Sequence, residues 1–184
     1  MNKHTLIILR VNERAEGFYD KSLELGTLAA QTFLEEIEHE RQRHRTSTEQ
    51  EARALQKHRA QLTGLENIAE TALKFTDVLD YIKKQIARQP GWKNEYQGQR
   101  FGESLKTYIE GHIKEQADHI YAEVRINTST DEGKREHQHI YLQLIRQLIR
   151  QIVVQYEYRV SQIAEELQHD KRARTGADTP SQRL

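Results

Sequence analysis

Only two prolines, Pro90 and Pro180, interrupt the 184 residues of this chain, and its nine glycines are widely spaced. Proline breaks a helix interior because it lacks a backbone donor and clashes with the preceding turn. Its scarcity leaves long windows open to helix. Within those windows apolar residues recur three and four positions apart, the period of one helix face. Leu, Gln, Glu, Arg and Ala, all good helix formers, fill the rest. The expected fold is therefore all-α: an elongated antiparallel four-helix bundle built from two helical hairpins.

Composition decides whether such a chain can fold. Hydrophobic residues make up 36% and charged ones 30%, and mean hydropathy is −0.89. Disorder at this hydropathy usually accompanies a large net charge. Here 28 Lys+Arg balance 28 Asp+Glu. Zero net charge and regular stripes point instead to helices with narrow cores and wide polar faces. The absence of cysteine excludes disulfides, Cys-based zinc sites, iron–sulfur clusters and thiol nucleophiles. No run approaches the roughly 18 apolar residues of a membrane span. No cofactor and no membrane partner are expected, and the expected location is the cytoplasm.

The chain divides at its breaks. Residues 1–11 hold Leu6, Ile7, Ile8, Leu9 and Val11. Their β-branched content suits an N-terminal arm or short strand, the alternative being a packed lead-in to the first helix. Val124-Arg125-Ile126-Asn127 offers a strand to pair with it. The bundle is expected over 12–168. Its first hairpin (12–88) starts with a helix from Asn12 to Arg43 on the stripe Phe18, Leu25, Ala29, Phe33 and Ile37, weakened at Gly17 and Gly26. Thr46 with Glu49, and Ser47 with Gln50, match capping boxes for a second helix running to Arg88. That helix carries the seam Leu65, Ile68, Ala72, Phe75, Leu79, Ile82 and Ile86.

A loop follows at 89–102, whose Trp92, Tyr96 and Phe101 are expected to fold over the open end of the bundle. The second hairpin (103–168) has a third helix striped by Leu105, Ile109, Ile113, Ala117 and Ile120. Its fourth helix, from Asp131 to Leu167, is expected to be capped by Ser129 with Glu132. Residues 169–184 read as a flexible tail.

The fourth helix is apolar around most of its circumference, which calls for a central position or burial by a second protomer. Leu142, Ile149 and Val153, with Trp92, are the candidate partner-interface residues, and the expected partner is another protein or a second copy. Nucleic acid is a further candidate partner. Arg41, Arg43 and Arg45 cluster at the tip of the first hairpin, and Arg146 and Arg150 sit among Gln143, Gln147 and Gln151, a composition able to contact a phosphate backbone.

Catalytic strings are few. Arg53 to His58 keeps the Arg-x-x-x-x-His spacing used by the helical HEPN ribonucleases, although Ala54 stands where those enzymes carry a polar residue. His112, Glu115 and His119 share a helix face and offer three metal donors. Glu36 to His39 and Glu136 to His139 spell Glu-x-x-His, a string of di-metal bundles. In a chain this rich in Glu and His such strings recur by chance. No nucleophile elbow, Walker loop or His-Glu-x-x-His string is present. The functional expectation is a non-enzymatic interaction or scaffolding subunit of a larger assembly, with a nucleoprotein complex as one form. A HEPN-like ribonuclease or a metal-binding bundle enzyme is the alternative.

Overall fold

The computed structural model describes the backbone of residues 2–44, 48–127 and 129–177, and the side chains of 2–35, 58–127, 129–163 and 165. The protein is all-α apart from one two-residue hairpin. In order the elements are α1 (Lys3–Glu16), α2 (Tyr19–His44), α3 (Thr48–Thr71), α4 (Phe75–Arg88), α5 (Pro90–Lys93), β1 (Glu95–Tyr96), β2 (Gln99–Arg100), α6 (Phe101–Tyr108), a π turn (Ile109–Ile113), α7 (Lys114–Glu123) and α8 (Asp131–Ala177).

The expected N-terminal arm is instead helix α1. Asn2 caps it, its side chain accepting from the Thr5 amide at 2.8 Å. Ile7, Val11 and Ala15, four apart, are buried, while Ile8 and Leu9 face out. The β-branched run thus obeys the helical period, and the strand expected at 124–127 is absent. Val124 ends α7, and Arg125 takes a left-handed φ of 56°. The Ile126 amide then bonds back to the Tyr121 carbonyl, closing the helix end. Gly17 and Phe18 divide the expected first helix into α1 and α2, with Phe18 turned into the core.

The expected second helix also breaks. The chain leaves α3 at Ala72, exposes Leu73 and restarts at Phe75 from an extended Lys74. No glycine or proline marks this point. Its cause comes from α8: the Arg146 guanidinium donates to the Ala69 and Ala72 carbonyls at 2.8 and 2.9 Å. These are the orphan acceptors of a helix C-terminus. The supposed continuous seam is therefore two stripes on two helices.

Contacts set the helix directions. Ala15 and Ser22 both bond Gln151, and Gly26 lies against Gln155, so α1 and α2 run parallel to α8. Arg59 meets Glu157, and Ala69 meets Arg146, so α3 runs antiparallel to it. Gln61 meets Gln89, and Gly64 packs on Tyr81, making α3 and α4 an antiparallel pair. Ile109 bonds Tyr141, and Asp118 pairs with His137, so the α6–α7 rod is antiparallel to α8. In place of the two-hairpin plan, α1 and α2 follow one another along α8, and α3, α4 and the α6–α7 rod pack beside them.

Helix α8 has 47 residues and spans about 70 Å at 1.5 Å per residue. Its N-cap is Thr130, not Ser129: Thr130 Oγ1 accepts from the Gly133 amide at 3.1 Å. It continues to Ala177, past the expected end of the bundle. The side chains of the proposed caps at 46–50, of the tail and of Glu36 and His39 lie outside the described residues.

Packing of these helices along α8 buries most of its apolar residues within the chain. Leu142, Ile149 and Val153 are 2%, 0% and 7% exposed. They are core residues, and the partner-interface assignment made for them does not hold. The same is true of Trp92, which is fully buried. Its indole donates to Gln61 Oε1 at 2.9 Å, and its ring lies 5.0 Å from that of Phe101.

Candidate functional site at the π turn

The stripe Leu105, Ile109, Ile113, Ala117 advances in three steps of four residues, and all four side chains are fully buried. On a regular helix each step of four drifts by about 40°, so the stripe would leave the core. The π turn at Ile109–Ile113 unwinds the rod locally and keeps it inward. The Lys114 amide reaches back to the Ile109 carbonyl across this turn. The same carbonyl accepts from the buried Tyr141 hydroxyl at 2.9 Å. π turns inside α-helices often mark functional positions.

On one side of the turn lies an open groove of about 770 Å³ between α2, the β-hairpin and α6. Tyr108, Gly111 and His112 form its helical wall, and Gln99 and Arg100 its hairpin wall. His112 stacks on Tyr108 at 5.0 Å and 26°, and Phe18 meets both rings edge-on. Lys21 Nζ sits 5.7 Å from the Tyr108 ring centre. Burial, with Glu24 nearby, pushes the Tyr108 hydroxyl above the ordinary tyrosine range.

Charges along the groove are matched locally. Lys21 pairs with Glu24 at 2.7 Å, Lys106 with Glu103 at 3.0 Å and Arg100 with Glu95 at 3.5 Å.

On the other side is an apolar slot of about 390 Å³ lined by Phe75, Leu79 and Tyr141, with Lys114 and His137 at its edge. His137 Nε2 lies 2.6 Å from Asp118 Oδ1, and Tyr121 meets the His137 ring edge-on.

Compared with protein-family models, curated proteins and solved structures, the chain matches none.

The residues singled out from sequence are distributed differently from expectation. His112 reaches the groove, but His119 does not join it. Among the described residues no group of three or more His, Cys, Asp or Glu side chains could hold a metal ion. Within the His112, Glu115, His119 set the one close pair is His112 with Glu115, 4.0 Å apart. His58 is 1% exposed and stacks on Phe33 at 4.4 Å, deep in the core. Arg53, the other member of the ribonuclease string, lies outside the described side chains.

Arg146 ends α3, and Arg150 Nε bonds Glu70 at 2.6 Å. Gln151 joins α1 and α2, donating to the Ala15 carbonyl and accepting from Ser22. The Arg/Gln face is thus largely engaged within the fold. The side chains of Arg41, Arg43 and Arg45 lie outside the described residues.

Sequence reading missed the π turn itself. Its available signal was three consecutive steps of four in the stripe, with Gly111 in their midst.

Proposed function

We propose that this protein is a helical interaction subunit that assembles with a second copy of itself through an apolar face where α2 and α8 lie side by side. One observation carries the reading. Tyr19 and Leu23, one turn apart on α2, are 57% and 42% exposed, and Val154 and Tyr158, one turn apart on α8, are 62% and 61% exposed. The Ser22–Gln151 bond and the Gly26–Gln155 approach hold these segments together. Counting about 100° per residue from those contacts places both pairs on the same side of the junction. Grouped apolar side chains on an otherwise charged surface mark interaction sites. The engagement of Arg146 and Arg150 by α3 favours a protein partner over a phosphate backbone.

Light scattering on the full chain tests this. A mass that is a multiple of 21.7 kDa, falling to the monomer value in Val154→Glu and Tyr158→Glu without loss of helicity, is the expected result. A wild-type monomer at all concentrations, unchanged by either substitution, would overturn the reading.

A further inference from the structure

Helix α1 is fastened to α8 at two levels, by Lys3 on Glu136 and by the Ala15 carbonyl on Gln151. Both helices point the same way, so the positive ends of their dipoles lie at one end of the fold. The first turn of α1 carries Lys3 and His4 and no acid. A cation in that position opposes the helix dipole. His4 also shares the stripe of the buried Ile7 and Val11, three and seven residues before them, which turns it toward α8.

The Lys3–Glu136 bond, 2.5 Å long, sets the register. It brings His4 level with the stretch of α8 that runs from Glu136 to His139. His139 Nε2 accepts from the Gln143 side-chain amide at 3.3 Å. Only a neutral imidazole can receive that bond, because both ring nitrogens of the charged form are donors. The charges acting on His139 are Arg146 and Glu136 on its own helix and His4 on α1. Lys3 is linked to it through Glu136, and Glu132 stands one turn further out on α8. Asp118 of α7 is taken by His137, on another side of α8. At neutral pH Glu136 balances Lys3. Once both imidazoles are charged, Lys3, His4, His139 and Arg146 crowd round that same carboxylate.

We propose that α1 is an acid-released latch: charging of His4 and His139 lifts its N-terminal turns from α8 and bares the stripe of Ile7 and Val11. The far end of α1 stays tied by pairs that contain no imidazole, Arg10 and Arg14 both holding Glu123 of α7 at 3.2 and 2.5 Å. The sign of the effect follows from the docked ring. Desolvation first, then Arg146 and His4, hold His139 below the ordinary histidine range against the pull of Glu136. The docked helix therefore favours the neutral ring, and a released one takes the proton more readily. Docking is complete above the ordinary value of about 6.5 and weakens as pH falls from there toward the docked value. The latch is separate from the α2–α8 face and operates in a monomer as in a dimer.

Amide hydrogen exchange followed by NMR on the full chain tests the inference at about pH 7.5 and about pH 5.5, either side of the histidine range, with rates corrected for the intrinsic effect of pH on exchange. The expected result is a several-fold loss of protection at Ile7 to Val11 in acid, with the α2 amides from Leu25 to Phe33 unchanged. The double variant His4→Gln with His139→Gln, both at exposed positions, is expected to keep wild-type helicity and to hold α1 protected at the lower pH. Unchanged protection of α1 in the wild type, a loss that the double variant does not prevent, or an equal loss in α2 would each overturn the inference.

Discussion

The Tyr141 hydroxyl of α8 donates to the Ile109 carbonyl at 2.9 Å, and this one bond ties the central helix to the π turn. The carbonyl also accepts from the Lys114 amide, so it stays paired if Tyr141 is truncated. Tyr141→Phe should therefore cost only about 1 kcal/mol, the net worth of one neutral hydrogen bond. Urea denaturation measures it. A loss several times larger would mean that the π turn itself collapses.

The same tyrosine sets a limit at alkaline pH. Burial first, then Glu110 and Asp118, push its hydroxyl up to about 12. Tyr156 is pushed up too, chiefly by burial. An unfolded tyrosine ionises near pH 10 (roughly). A raised pKa in the folded state means that the neutral form is favoured there. That stability is complete below the unfolded pKa and is lost as pH rises through the folded value. The tyrosine absorbance change near 295 nm should lag in native protein, and unfolding should set in between about pH 10 and 12.

At the acid end the expected contributor is His139. Desolvation of its ring, then the Arg146 charge and His4, hold it below the ordinary histidine range against the opposing pull of Glu136. The unfolded chain therefore takes up this proton first, and stability falls as pH drops through about 6.5. His139→Gln should flatten the decline in Tm between neutral and mildly acid pH. An unchanged slope would assign the decline to other groups.

Arg146 and Arg150 look alike in sequence and should behave differently. Arg146 donates to two carbonyls at the end of α3, and charge-assisted bonds of this kind are worth about 1.5–3 kcal/mol. Arg150 makes a surface pair with Glu70, the two side chains 51% and 35% exposed, and such pairs contribute about 0–1 kcal/mol. Arg146→Ala should lower the denaturation midpoint clearly and Arg150→Ala hardly at all. Equal losses would remove Arg146 as the residue that ends α3.

Gly26 and Gly111 form a matched pair of tests. A Cβ on Gly26 would stand 2.7 Å from Gln155 Cβ and 2.9 Å from the Tyr156 backbone nitrogen. Gly26→Ala must push α2 off α8, at about 1–3 kcal/mol. Gly111→Ala meets nothing and should stabilise the fold by about 0.5–1 kcal/mol. Thermal melts should move in opposite directions.

By itself the sequence determined the helical class and most of the core. Period and composition made Phe18, Leu25, Ala29, Phe33 and the Leu105 to Ile120 stripe legible, because a helix buries whatever repeats on one face. The tertiary structure alone decided where helices stop and which apolar surface is left over. The α3–α4 break depends on Arg146, 77 residues away from Ala69, a contact that no local pattern encodes. The broken helices then cover most of the apolar surface of α8. Ile149 and Val153, which read as an interface, are core, while Val154 and Tyr158 on the same helix stay exposed. The π-turn groove was equally hidden: His112 was visible as a candidate, but its neighbours Lys21 and Arg100 come from other elements, and only folding brings them together.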